Sequence, residues 1–162
     1  MTRQEFQRDR QFLQSLLPAH MAWHMARMGG PNPNNLAQQG TPGSGLEFLR
    51  FHRQLIGQYD AWRTQNLASV LPPGNRRLKV WFPSAVTIPS ALQGNLPTTF
   101  STQDALGISI ENGIHISGHA LHAEITDPTT APLSHLFWAW HKWIDDLWTR
   151  GLQQNPNWPP GP

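Results

Sequence analysis

Residues 135–148 read HLFWAWHKWIDDLW, with four tryptophans in fourteen positions and His141 in their midst. Leu133, Leu136, Phe137, Trp140, Ile144, Leu147 and Trp148 recur with helical period. A helix is therefore expected, starting near Pro132, a residue suited to a first helical turn. His141 falls on the same apolar stripe. Burying an imidazole without a partner is costly. The fold must bring His141 a neighbour, or a use for its lone pair.

The other histidines repeat the pattern. His20 and His24 are four apart, as are His115 and His119, and that spacing puts each pair on one helix face. The first pair lies in a helical pattern over residues 3–28, which Pro18 is expected to kink or split just before His20. His52 lies on a second stripe, Phe48, Leu49, Phe51, Leu55, Ile56, Tyr59 and Trp62. Ser44 and Glu47 are expected to start that helix as a capping box, and LPPGN (71–75) to end it. The second pair lies in GIHISGHALHAEI (113–125), whose glycines and β-branched residues have poor helix propensity, so something else must select its helix. Two triads follow: His20, His24 and His52, then His115, His119 and His141.

The expected fold is mainly α. Four helices with inward histidines form a bundle core whose centre can hold two metal ions, and long irregular loops connect them. GGPNPNN (29–35) and QQGTPGSG (38–45) are turn-rich. Residues 76–110, with Pro83, Pro89 and Pro97, read as a long connection of short strands or extended pieces, with a helical turn near STQDAL (101–106). NPNWPPGP (155–162) reads as a tail docked by Trp158. The length of 162 residues suits one domain over 1–162.

Composition narrows the chemistry. There is no cysteine, so neither a disulfide framework nor a thiolate site is available. Imidazole suits copper, zinc, iron and nickel. One triad alone resembles a zinc site with an open position. Two facing all-histidine triads favour a binuclear copper centre, because neutral ligands stabilise Cu(I). The net charge is +2, and the one basic run, NRRLK (75–79), reads as a solvated loop, so no nucleic-acid partner is expected. The charged N-terminus has no signal-peptide pattern, and no apolar run approaches the roughly 20 residues that span a bilayer. A soluble, cytoplasmic protein without a membrane partner is expected.

These motifs resemble the type-3 copper proteins: tyrosinases, catechol oxidases and hemocyanins. HMAWH followed by LEFLRFHRQLIGQYDAW is similar to the copper-A region of arthropod hemocyanins and phenoloxidases, within about residues 15–65. HISGH followed by LFWAWHKWIDDLW is similar to the copper-B region, within about 110–150, beyond a connecting region at 70–110 and before a tail at 153–162. The resemblance implies two copper ions, held by His20, His24 and His52 and by His115, His119 and His141. It implies an oxidase or monooxygenase that uses O2 on phenols, catechols or o-aminophenols, in a biosynthetic setting for instance, with a copper-delivery protein as a candidate partner. The alternatives are a hemocyanin-like O2 carrier and a mononuclear metal protein with one vestigial triad.

Two positions depart from the family pattern. Gly43 stands nine residues before His52, where bacterial and fungal tyrosinases usually carry a copper-A histidine. Ile116 follows His115, where many tyrosinases carry an asparagine thought to orient a water that deprotonates phenols. Around the ligands, Asp145 is expected to pair with Arg53 or to orient a ligand histidine. His122 and Glu111 are candidate bases, as is Glu124. His135 reads as a surface residue or a substrate-side base, and Asp60 and Asp146 as solvent-facing.

Overall fold

A computed structural model describes residues 2–67 and 78–162. LPPGN and the first residues of NRRLK lie outside them. The protein is mainly helical, and among the described residues no strand occurs. Helix α1 spans Arg3–Arg27 and α2 spans Ser44–Asn66. A 3-10 turn (Ser90–Leu92) and the short α3 (Leu96–Thr99) precede α4 (Gln103–Ile110). A π turn, Glu111–His115, joins α4 to α5 (Ile116–Ala120). The short α6 (Ala123–Thr126) and a 3-10 turn (Ala131–Leu133) lead into α7 (His135–Gln154). Among the described residues no helix is long and apolar enough to cross a membrane.

Several expectations need correction. Helix α1 is not split at Pro18. Pro18 faces solvent, as does Gln14, so water can satisfy the Gln14 carbonyl that loses its helical donor. Leu13 and Leu16 on one side of the proline and Trp23 on the other are all buried, so both halves pack on the core as one continuous helix. Ser44 and Glu47 do not form a capping box. Ser44 Oγ accepts from Gly40 N, and Glu47 accepts from Ala37 N, bracing the preceding loop. The cap of α2 comes instead from Asp104, whose carboxylate accepts from Gly43 N at 3.0 Å and Leu46 N at 2.9 Å. A carboxylate at a helix N-terminus is favoured both by the free N–H groups and by the helix dipole.

The described part of the connecting region holds no strands. Its helical turn near 101–106 extends into α4, so the third helical segment begins at Gln103, not 113, and ends at Ala120, not 125. The last helix starts at His135 behind Ser134, whose hydroxyl accepts from Leu136 N, while Pro132 sits in the 3-10 turn before it. The tail docks as expected. Trp158 is buried and donates to the Phe100 carbonyl, and the carbonyls of Pro159 and Pro160 accept from Gln103 N and Asp104 N, two free donors at the start of α4.

Helices α2 and α4 cross with their backbones in close contact at two glycines. A Cβ on Gly45 would lie 2.2 Å from the Asp104 carbonyl oxygen, and one on Gly107 2.1 Å from the Gly45 oxygen. Only glycine fits there. The core has two buried parts, one around Phe48, Leu106, Ile110, Trp140 and Ile144, the other around Leu13, Leu55, Tyr59, Phe137 and Trp138. The histidines occupy the seam between them.

Candidate metal centre

Six imidazoles converge from α1, α2, the 103–120 segment and α7. His20, His52, His115 and His141 are buried, whereas His24 and His119 are half-buried at one end. Phe48 packs against His52 and His115, with ring centres 4.6 and 4.9 Å apart. From the opposite core, Phe137 lies 4.0 Å from His141 and 5.1 Å from His20. The two phenylalanines wall the rings on both sides and exclude water. Of the tryptophans that flank His141 in sequence, Trp138 and Trp140 are fully buried and Trp143 is half-buried.

Ring orientation follows from backbone hydrogen bonds. His52 Nδ1 donates to the Phe48 carbonyl at 2.9 Å, His141 Nδ1 to the Phe137 carbonyl at 2.7 Å and His119 Nδ1 to the Ile125 carbonyl at 2.5 Å. A carbonyl can only accept, so each Nδ1 carries the proton and each Nε2 presents a bare lone pair. His141 Nε2 accepts from His115 Nε2 at 3.1 Å, and the Nε2 atoms of His20 and His24 pair at 3.1 Å. His52 Nε2 is buried with no hydrogen-bond partner, as is His20 Nδ1. An unpartnered polar atom in the interior is costly unless something uses it.

The candidate ligand nitrogens fall into two groups. Those of His20, His24 and His52 lie within 4.8 Å of one another, which matches the first expected triad. The second compact group is His52, His115 and His141. His119 stands beside it, its ring 4.5 Å from His115 and 5.2 Å from His141. The grouping differs from the expected second triad because His52 and His141 stack at 4.5 Å, which brings His52 into both sets.

Burial makes the cluster uncharged. It lowers the pKa of His20 to about 3, with His24 and His119 adding repulsion, and that of His24 to about 4, with His119 and Arg27 adding to it. Burial also holds His52, His115 and His141 well below the ordinary range, with neighbouring imidazoles as the next cause. For His119 burial lowers the value while the Ile125 carbonyl opposes it. At neutral pH all six rings offer lone pairs and carry no charge. A neutral nitrogen set with an orphaned inward lone pair fits a nitrogen-preferring cation such as copper or zinc better than a hard, oxygen-preferring one.

Beside the half-buried end lies a cavity of about 200 Å³, lined by His20, His24, Gln39, Glu111, His115, Ile116, His119, Thr126 and Pro128. A space near 150 Å³ accepts a benzene ring, so one small aromatic molecule fits. Ile116 is half-exposed at its rim.

Glu111 is not a free base. Both its oxygens are held by Arg27, at 2.5 and 2.9 Å, although burial raises its pKa against the pull of that guanidinium. Arg27 is itself buried, bonds the Ser44 and Ala37 carbonyls and lies over the Trp23 ring. This buried ion pair links the helix of one histidine pair to the turn that carries the other. It was missed from sequence, although its position holds a signal: Arg27 follows His24 by three residues and Glu111 precedes His115 by four.

The remaining candidates lie outside the cavity. His122 packs against Trp81, His135 bonds the buried Asp9, and Glu124 accepts from Ser134. Asp145 takes the first of its two expected roles, pairing with Arg53, which also bonds Thr149 and stacks on Trp148. Asp60 is half-buried and accepts from Leu78 N, whereas Asp146 faces solvent as expected, its side chain 45% exposed and paired with Lys142 along the same helix. No protein-family model, curated protein or solved structure matches this chain.

Proposed function

We propose that the histidine cluster is a binuclear copper centre, and that the protein is an oxidase or monooxygenase of phenols, catechols or o-aminophenols that uses O2. The observation that carries this reading is the convergence of six neutral imidazoles beside a cavity the size of one aromatic ring. Copper held there would supply O2 binding and two-electron exchange with an electron-rich ring. His20, His24 and His52 would hold one ion, and His115, His119 and His141 the other, with His52 near both. The carbonyls of Phe48, Phe137 and Ile125 fix three rings with Nε2 inward, so little ordering remains to be done on binding. Phe48 and Phe137 keep water from the inner face, and Ile116 and Pro128 give the cavity apolar contact for a ring.

The cavity favours an enzyme over an O2 carrier, which has no use for a ring-sized space beside its ligands. The sharing of His52 favours a different alternative, a single ion on His52, His115 and His141. Copper per chain separates the two. Two ions per chain, coupled and therefore silent in electron paramagnetic resonance as Cu(II), with an intense near-ultraviolet band after peroxide and turnover of catechol, are expected. One ion per chain, or zinc retained against excess copper, would overturn the binuclear reading.

A further inference from the structure

Apart from Met1, every methionine of the chain lies in one stretch of α1 and its cap: Met21, Met25 and Met28. Positions i, i+4 and i+7 fall within about 60° of arc on a helix, so the three thioethers share a face. Apolar side chains usually face the core, yet Met25 is 50% and Met28 74% exposed, and Met21 is half-buried. From Arg10 to Leu46 the chain has no Asp or Glu, so this stretch of α1 offers soft sulfur and no carboxylate of its own. Thioether sulfur selects Cu(I) over hard cations, and the unbranched methionine side chain adapts to a ligand.

This face adjoins the histidines. His24 follows Met21 by three positions and precedes Met28 by four, so its imidazole is a neighbour of both on the helix surface. It is half-buried and its Nε2 lies 3.1 Å from that of the buried His20. His24 thus stands where the thioethers end and the ring cluster begins.

We propose that the methionine face of α1 is an uptake site, at which Met21, Met25 and Met28 capture Cu(I) and pass it by ligand exchange to His24 and then to the buried cluster. The inference rests on the copper reading of the cluster. No electron moves in the transfer: thioether bonds to Cu(I) are replaced by imidazole bonds, and the histidines are already neutral.

The test is the triple variant Met21→Leu/Met25→Leu/Met28→Leu, which keeps apolar bulk and helix propensity but removes sulfur. Under anaerobic conditions, Cu(I) is supplied at limiting concentration from a coloured chelator and its transfer to protein is timed. The variant should fill several-fold more slowly than the unaltered chain, while both reach the same copper content after long exposure to excess metal. Silver(I), a redox-inert stand-in, should shift the three methionine methyl resonances of the unaltered protein. Equal filling rates, or methyl signals that ignore silver, would overturn the uptake site and leave the copper centre standing. An unaltered chain that holds no copper at equilibrium would overturn both.

Discussion

The two histidine pairs share a spacing of four residues but are held differently. His20 and His24 ride on α1, a regular helix, and depend on side-chain packing. Trp23, stacked on Phe51 at 4.4 Å, presses edge-on against His24 and His52. His20 Nδ1 has no hydrogen-bond partner. His115 ends a π turn and His119 lies one helical turn on, its Nδ1 fixed by the Ile125 carbonyl. Like π bulges generally, this turn falls at the candidate site. Carbonyl anchoring gives the His119 and His141 rings one tautomer and one direction, whereas the α1 pair is held by the 3.1 Å contact between its own Nε2 atoms and by the rings packed on it. The α1 pair is therefore the half of the cluster held by side chains, and the π-turn side with α7 is the preset half, held by backbone carbonyls.

Acid probes this difference with the largest effect. All six histidines have folded pKa values below the unfolded value of about 6.5. Above that pH both states are neutral and no stability is lost. Below it the unfolded chain takes protons that the folded chain refuses, at about 1.4 kcal/mol per pH unit for each such histidine. The metal-free protein should lose stability steeply from about pH 6.5 toward the values of about 3 and 4 at which His20 and His24 protonate. Denaturant melts across pH would show it. Histidine ring resonances should show all six rings still neutral at pH 6. Stability that is flat between pH 7 and 5 would contradict the buried neutral cluster.

Substitution of the shared ring comes next. His52 would hold the first ion and lies against the second, so His52→Ala should abolish the first ion and weaken the second, whereas His24→Ala should leave the π-turn side loaded as tightly as before. Copper per chain, with circular dichroism to confirm helicity, reads this directly. Two ions retained in His52→Ala would show that the groups are independent.

The ion pair joining the two halves should give a smaller, structural effect. Removing one partner of a buried pair costs roughly 3–5 kcal/mol, because the other charge is left without compensation. Arg27→Met should therefore destabilise strongly in thermal melts. Arg27→Met/Glu111→Leu should recover much of that loss, since a matched apolar pair carries no orphan charge. A double variant no better than Arg27→Met alone would mean that Arg27 acts through the Ser44 and Ala37 carbonyls.

Much of the centre was legible because helical spacing is local. The H-x3-H pairs, the His52 and His141 stripes and the docking of Trp158 all follow from periodicity or composition within a few residues. What escaped was long-range. Asp104 caps a helix whose start lies some sixty residues earlier, displacing a capping box that satisfied every local rule. The π turn depends on packing around it, not on a signature in ENGIH. Gly118 shows the kind of constraint involved: a Cβ there would lie 2.5 Å from the Trp140 ring. Residues 76–110 read as extended because prolines and β-branched residues suppress helical period, yet their described part, from residue 78, forms turns and short helices.

The smallest effect concerns the rim. Ile116 follows His115 and stands half-exposed at the cavity, an apolar side chain where related motifs carry a polar one. Apart from the clustered histidines, the one titratable side chain that lines the space, Glu111, is held by Arg27, and His122 lies outside it. Monophenols, which must lose a tightly held proton, should react slowly or with a lag, while o-diphenols and o-aminophenols turn over readily. A positioned general base is worth about 10²–10⁴-fold, and an amide that only orients water should recover a small part of it. Ile116→Asn should narrow the phenol-to-catechol gap by about tenfold or less, without changing copper content. Matched kinetics on a phenol and its catechol would measure this. If the unaltered protein oxidises both at equal rates, proton removal does not depend on this position, and the preset half of the centre must supply its own acceptor.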